Sequence, residues 1–231
     1  MKDDLYKGVM GEHASNLGGL IADDIAQSLP DARAFIADPV VVDELQDEAR
    51  IAGHPKFERR SIFHALNHKA IARTYSKAIG RPYDEINLII AHLGGGISVG
   101  AHQKGRVVDV NNALDGEGPF SPERSGTLPV GELVKKAFSG DYTQEELHKM
   151  IVGKGGMVAY LGTNDAYEME TRAKQGDEKA RLIEKAMAYQ VSKCIGSMAT
   201  VLHGRVDGIL LTGGIAYDIN FVNYIKEMVS F

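Results

Sequence analysis

Three glycines follow an apolar run in His92-Leu93-Gly94-Gly95-Gly96-Ile97-Ser98-Val99-Gly100. Residues without a Cβ let backbone N–H groups converge on an anion, the arrangement called a nest. A dinucleotide-binding turn would need a helix directly after the glycines, whereas Ile97, Val99 and Ala101 alternate as a strand. No Lys-Ser/Thr pair closes a Walker-type loop. What remains is strand, glycine turn, strand: a hairpin whose tip cradles phosphates, or a tight hairpin that binds nothing. A second loop, Leu210-Leu211-Thr212-Gly213-Gly214-Ile215-Ala216, ends another apolar run in paired glycines before a helical segment. A ribose or adenine can lie across such backbone with no side chain in the way. Paired glycines after a strand are also ordinary turn chemistry. The two loops together, in a chain without a Walker motif, point to a nucleotide.

Side chains that could act on a phosphoryl group lie between these loops and before them. Arg124 stands between Pro122 and Gly126 in a turn-rich stretch, where a rigid guanidinium fork can be aimed at phosphoryl oxygens; the plain alternative is a surface salt bridge. His64 and His68 are four residues apart, on one face of the helix predicted there. Such a pair can ligate zinc, but the Glu of a zinc-protease motif is missing between them, and each can simply be a satisfied polar residue. His92 ends an apolar strand immediately before the glycines and can reach a bound phosphate, or else bond to backbone as a core histidine. Asp38, before Pro39, can cap the segment from Val40 onward.

The elements that must position these residues follow from periodicity and breakers. Glu12 to Leu29 reads as a helix, with Leu17, Leu20, Ile21, Ile25 and Leu29 on one face, stopped by Pro30-Asp31. Ala34 to Ala37 reads as a short strand. Ser61 to Ile79 reads as a helix with Gly80 as its C-cap and Arg81-Pro82 beyond. Ile86 to Ala91 and Val206 to Leu211 are continuous apolar strands of the kind buried on both faces. Ile97 to Ala101 and Arg106 to Val110 are strands joined by the hairpin signal His102-Gln103-Lys104-Gly105. Val130 to Phe138, Gln144 to Ile151, Asp177 to His203 (with Gly196 a weak point) and Asp218 to Met228 read as helices. Strands alternating with helices make the class α/β.

Composition narrows the partners. The 231 residues carry 26 Lys+Arg against 31 Asp+Glu, a net charge of -5 with no basic stripe, which argues against nucleic acid. A single cysteine, Cys194, forbids an internal disulfide and fits a reducing cytoplasm; in a helical run it reads as a small core residue. No apolar run approaches about 18 residues, so no membrane span is encoded, and Met1-Lys2-Asp3-Asp4 opens no apolar signal region. The apolar close, Met228-Val229-Ser230-Phe231, leads to the expectation that the chain is cut from a longer one, a docked apolar tail being the alternative.

Arg60-Ser61-Ile62-Phe63-His64-Ala65-Leu66-Asn67-His68-Lys69, His92 to Gly100, and Asn111-Asn112-Ala113-Leu114-Asp115-Gly116-Glu117-Gly118-Pro119-Phe120-Ser121-Pro122-Glu123-Arg124-Ser125-Gly126 resemble the butyrate kinase branch of the acetate kinase family. Gly155 to Asp165 and Thr212 to Tyr217 agree, and the likeness runs from Gly11 to Phe231. It implies the ribonuclease-H-like, actin-like fold: a mixed sheet flanked by helices, two domains, and a cleft between them. Residues 1–40 would be a remnant of the first domain and 41–231 most of the second. It implies reversible transfer of the ATP γ-phosphoryl group to a short-chain carboxylate, butanoate giving butanoyl phosphate and ADP, with Mg²⁺, in a cytoplasmic homo-oligomer.

By the same resemblance Arg124 is catalytic, His64 stabilises the transferring phosphoryl group, and His68 is more structural. Asp38 lies near Mg²⁺ and the attacking carboxylate. His92, Gly94, Gly95, Gly96, Asp165, Gly213 and Gly214 serve the nucleotide, and Val40, Val41 and Val42 could line the acceptor pocket. The sequence also departs from the pattern. Gly95 replaces an Asn of acetate kinase, Tyr167 an Arg, and Tyr217 a Glu that helps hold Mg²⁺. The family's opening phosphate turn, an early catalytic Arg and a closing helix have no counterpart, so the 231 residues are expected to fold without turning over. The rival readings are an actin-like nucleotide sensor with no acceptor acid, a kinase for a branched short-chain acid, and, more distantly, a dinucleotide oxidoreductase.

Overall fold

The structure, a computed structural model, describes residues 2–7 and 14–230. Helices α1 (Lys2–Lys7) and α2 (Ala14–Gln27) come first, then a short α3 (Asp47–Arg50) and the long α4 (Ala65–Ile79). Strands β1 (Asn87–Leu93), β2 (Ile97–Gln103) and β3 (Arg106–Val110) follow. Five helices come next: α5 (Val130–Ala137), α6 (Gln144–Ile151), α7 (Met157–Leu161), α8 (Ala166–Lys174) and α9 (Glu178–Val201). Strand β4 (Gly208–Thr212) and α10 (Ile219–Met228) complete the order.

The sheet runs β3-β2-β1-β4, with β1 antiparallel to β2 and parallel to β4. It is therefore mixed, and the α/β class holds. Strand alternation divides β1 between two cores. Leu88 and Ile90 face α4 with Ala72, while Ile89, Ala91 and Leu93 face Met187, Val191 and Ile195 of α9 and Phe221 and Ile225 of α10. Both faces are covered, which is why β1 reads as an unbroken apolar run. Cys194 packs beside this core, and burial pushes its thiol up to about 11, so it is not a thiolate nucleophile.

Several elements differ from the sequence reading. Ser61 to Phe63 is not helical. Ser61 Oγ donates to Val42 O at 2.6 Å, Phe63 N–H to Val40 O at 3.1 Å, and Ala113 N–H to Ile62 O at 2.8 Å. Backbone bonded to neighbours on two sides cannot turn into a helix, so α4 begins at Ala65 with His64 as its N-cap. Its predicted end holds: Gly80 is left-handed, at φ 67°. Ala34 to Ala37 forms no strand, having no partner among the described residues. Strand β4 starts later than expected and is only half-buried, because it lies at the sheet edge. The β2–β3 turn is only Lys104-Gly105, both at positive φ; His102 and Gln103 belong to the strand. Gly196 stays within an unbroken α9. Helix α2 is confirmed from Ala14 to Gln27 (Glu12 and His13 lie outside the described residues), yet Leu17, Ile21 and Ile25 on its apolar face are exposed, as is Leu29 just beyond its end. Phe231 also lies outside the described residues.

Candidate active site

The β1–β2 hairpin carries Gly94, Gly95 and Gly96 at its tip, as expected. It is not a nest, since none of the three has a φ in the left-handed region, and Gly94 N–H is taken by Gly96 O at 3.1 Å. The glycines are required for room. A Cβ on Gly94 would lie 2.9 Å from His92 Nε2, and one on Gly96 only 2.1 Å from Arg124 Nη1. At Gly95 the nearest atom would be Glu123 Oε2, at an ordinary 3.8 Å.

Arg124 thus lies across the hairpin tip, and its loop is fastened there. Ser121 Oγ donates to Gly95 O at 2.7 Å, and Glu123 N–H to the same oxygen at 3.4 Å. From the other side Met157 N–H and Val158 N–H, at the start of α7, bond to Ser121 O and Pro122 O. Gly156 permits this approach, since a Cβ there would lie 2.0 Å from Ser121 O. The guanidinium itself donates from Nη1 to Ala113 O at 2.6 Å. Burial lowers its pKa, though a guanidinium stays charged throughout the physiological range.

His64 and His92 stack face to face, with ring centroids 3.8 Å apart. His92 Nδ1–H donates to Asn67 Oδ1 of α4 at 3.0 Å, and burial pushes its pKa down. His64 Nδ1 is 2.8 Å from Ser98 Oγ, and His68 Nε2 is 2.9 Å from the same hydroxyl. The two histidines meet through Ser98, although His64 lies at the cap and not within the helix. His68 is fully buried and strongly disfavoured as a cation, first by desolvation and then by the neighbouring histidines. The N-cap of α4 makes no side-chain capping bond, and the N-terminal end of the helix dipole adds partial positive charge at this place.

Beside these groups is a small pocket of about 70 Å³, walled by Val40, Ile62, Phe63, His64, Ala113, Leu114 and Arg124. It joins apolar side chains to two groups able to face an anion. Val40 lines it, whereas Val42 packs with Leu45 and Phe63 in a separate apolar cluster. A larger groove of about 400 Å³ runs past Asp43, Arg50 and Arg59. Of its three arginines, Arg50 is engaged by Asp43 and Arg59 by Asp109 and Glu117, and Arg60 completes the lining.

The remaining predicted residues stand at different distances from this cluster. Gly213, at φ 96°, is needed because its Cβ would lie 2.4 Å from Leu93 O; Gly214 faces open space. Asp165 caps α8, accepting from Tyr167 N–H at 2.9 Å. Asp38 caps no helix; it has φ 43° and pairs with Arg73 of α4 at 3.1 Å. Ser98, Asn67 and His102 escaped the sequence reading as individuals. A polar residue at every second position of an apolar strand, Ser98 then His102 with Gly100 between, was the available signal.

A mixed sheet with helices on both faces, and a glycine hairpin leading to a half-buried guanidinium, define an α/β protein consistent with the actin-like fold. Within that class it belongs to the Acetokinase family, whose pattern matches residues 54–228. It is 57% identical over its whole length to Butyrate kinase 2 of Clostridium acetobutylicum, of which it spans 65%. The fold is shared with the acetate kinase of Porphyromonas gingivalis (TM-score 0.84, 22% identity, covering 100% of this chain and 60% of that one). It is also shared with a propionate kinase from Francisella tularensis (TM-score 0.83, 21% identity, 99% and 62%).

Proposed function

We propose that the protein transfers the γ-phosphoryl group of ATP to a short-chain carboxylate, butanoate + ATP giving butanoyl phosphate + ADP, reversibly. The observation that carries this reading is that Arg124 and His64 wall one small apolar pocket at the tip of the glycine hairpin. The similarity to a butyrate kinase supports it.

An aliphatic acid lies with its tail against Val40, Ile62 and Phe63 and its carboxylate toward Arg124 and His64. A carboxylate oxygen bonds to the γ-phosphorus as the bond to the ADP oxygen breaks. Charge spreads over the equatorial oxygens in the transition state, and a fixed guanidinium and an imidazole N–H stabilise it there. The positive end of α4 acts in the same sense. Open backbone at Gly214 suits the nucleoside. Asp165 borders the adenosine in this proposal, in addition to capping α8.

No cluster of three or more candidate metal ligands exists among the described residues. Mg²⁺ would be held mainly by the nucleotide phosphates with one or two carboxylates. Asp38 is the proposed carboxylate and would exchange its Arg73 pairing for that role. When bound, Mg²⁺ supplies charge neutralisation between the phosphates. Residues 1–40 are proposed to form part of one lobe of the cleft and 41–231 the other, in a cytoplasmic homo-oligomer. Among the described residues no helix is long and apolar enough to cross a membrane.

The test is acyl phosphate formation by the full-length protein, trapped as hydroxamate, with acetate, butyrate and isobutyrate. Each buried methylene discriminates by about tenfold or more, so kcat/KM for a four-carbon acid should exceed that for acetate at least tenfold. Equal values would remove the chain-length assignment. ATP binding with no acid-stimulated ADP release would instead make the protein a nucleotide-binding module.

A further inference from the structure

Behind His64 a line of polar groups crosses the interior between β2 and α4. Tyr83 Oη is 2.6 Å from His102 Nδ1, His102 Nε2 is 3.1 Å from His68 Nδ1, His68 Nε2 is 2.9 Å from Ser98 Oγ, and Ser98 Oγ is 2.8 Å from His64 Nδ1. His68, Ser98 and His102 are fully buried. Gly100 packs against the line, a Cβ there falling in ordinary contact with the His68 ring at 3.4 Å.

Burial holds His68 and His102 neutral, His102 at about 3. A neutral imidazole has one donor and one acceptor nitrogen. Once one bond in such a line is oriented, the others follow through each imidazole as far as Ser98, whose hydroxyl can accept twice. Three arrangements satisfy all the links. Two run the whole line in opposite directions. In the third Ser98 Oγ accepts from both His68 and His64, which is disfavoured because the buried Ser98 O–H is then left without an acceptor in the line. A phenol is a better donor than acceptor, and burial keeps Tyr83 protonated. Its O–H therefore donates to His102 Nδ1. His102 Nε2–H then donates to His68 Nδ1, His68 Nε2–H to Ser98 Oγ, and Ser98 O–H to His64 Nδ1. With Nδ1 accepting, neutral His64 must carry its proton on Nε2. The reverse direction would leave the Tyr83 proton without this acceptor and would put the His64 proton on Nδ1.

We propose that Tyr83, His102, His68 and Ser98 form a one-way hydrogen-bond relay that fixes His64 as its Nε2–H tautomer, with Tyr83 and His102 as positioning residues for phosphoryl transfer. The catalytic half of this inference rests on the kinase reading given above; the tautomer half does not. The relay forms no covalent bond and consumes no proton. It decides only that His64 meets a phosphoryl oxygen with an N–H and not with a lone pair.

Long-range ¹⁵N–¹H correlation spectra of the labelled protein read the tautomers directly. His64, His68 and His102 should each show a pyridine-type Nδ1 and a pyrrole-type Nε2. Tyr83→Phe removes the terminal donor with little change of shape, and one net hydrogen bond should move the His64 tautomer ratio toward Nδ1–H by about fivefold. His102→Gln retains an N–H for His68 Nδ1 and should restore the wild-type signature, whereas His102→Met should not. In the full-length enzyme Tyr83→Phe should lower kcat by about fivefold while leaving KM for ATP unchanged. A pyrrole-type Nδ1 on wild-type His64, or a Tyr83→Phe spectrum identical to wild type, overturns the relay even if the kinase is active. The expected tautomers with no acyl phosphate formed would uphold the relay and overturn the kinase reading.

Discussion

Replacing Gly96 with Ala separates two accounts of the glycine hairpin. If its glycines serve a phosphate nest, Gly95 and Gly96 should be comparably sensitive. If they make room for Arg124, only Gly96 should matter. The added Cβ would lie 2.1 Å from Arg124 Nη1 and 2.8 Å from Cζ. To reach ordinary contact at 3.4 Å the guanidinium must retreat by about 1.3 Å. That breaks its 2.6 Å bond to Ala113 O. The obstructing atoms are the far end of a flexible side chain, so folding should suffer only the lost charge-assisted bond, about 1.5–3 kcal/mol, or several degrees in Tm. Catalysis is less forgiving, since a misplacement of about 1 Å costs on the order of a hundredfold, about 2.7 kcal/mol of transition-state stabilisation. Gly96→Ala in the full-length enzyme should therefore lower kcat by about a hundredfold with KM for ATP little changed. Gly95→Ala, whose Cβ meets nothing closer than 3.8 Å, should stay within a few-fold of wild type. Parallel losses in the two variants, or a Gly96→Ala enzyme near wild-type kcat, would refute the steric account.

Arg124→Ala should lower kcat far more than it raises KM for ATP, because a charge directed at the transferring group acts mainly in the transition state; a rise in KM alone would make Arg124 a ground-state binder. Glu184 and Asp218 supply a pH-dependent stability. Glu184 Oε1 and Asp218 Oδ2 are buried without other donors, and burial together with Asp218 pushes Glu184 up to about 8. A raised carboxyl pKa contributes stability that is present below about 4.5 and lost as pH rises through about 8. Glu184→Gln should thus melt above wild type at pH 8 to 9, with the gap closing near pH 5; parallel profiles would show that no buried proton is held there. Assayed alone, the 231-residue chain should form no acyl phosphate while binding ATP weakly, as titration calorimetry can check; turnover like that of the full-length enzyme would show that the pocket here needs no opposing wall.

How much could be read from the sequence depended on whether a signal was local. Strand β1 was legible because both its faces are buried, and α9 and α10 because apolar spacing and the Asp177 and Asp218 caps agree. The start of α4 was not legible. Nothing near Ser61 reports that Val40, Val42 and Ala113 will claim its backbone and hold it extended. The exposed stripe on α2 shows the converse, a periodicity that correctly gives the helix but not the burial of its apolar face. At the candidate site, Arg124 and the histidines were singled out by type, spacing and the family resemblance, but what holds them was not legible. Ser98 joins residues 34 and 30 positions away, and Arg124 meets a hairpin 28 residues earlier in the chain. Such contacts exist only after the sheet has formed.

The hairpin therefore has a role different from the one its glycines first suggest. None of its glycines has the left-handed backbone of a nest, and Gly94 uses its own N–H within the turn. Its side chains and its gaps aim other residues. Gly96 leaves the space that Arg124 fills, Ser98 receives His64 and His68, and His92 lies under the His64 ring with its Nδ1 tied to Asn67. Every group directed at the pocket is thus referred to one two-stranded element whose first strand is buried on both faces. Phosphoryl transfer asks the protein mainly for position and fixed charge. A guanidinium and an imidazole held from the same rigid strands keep their separation even when the surrounding loops move. This is why a single methyl group on Gly96 should be felt in kcat before it is felt in stability.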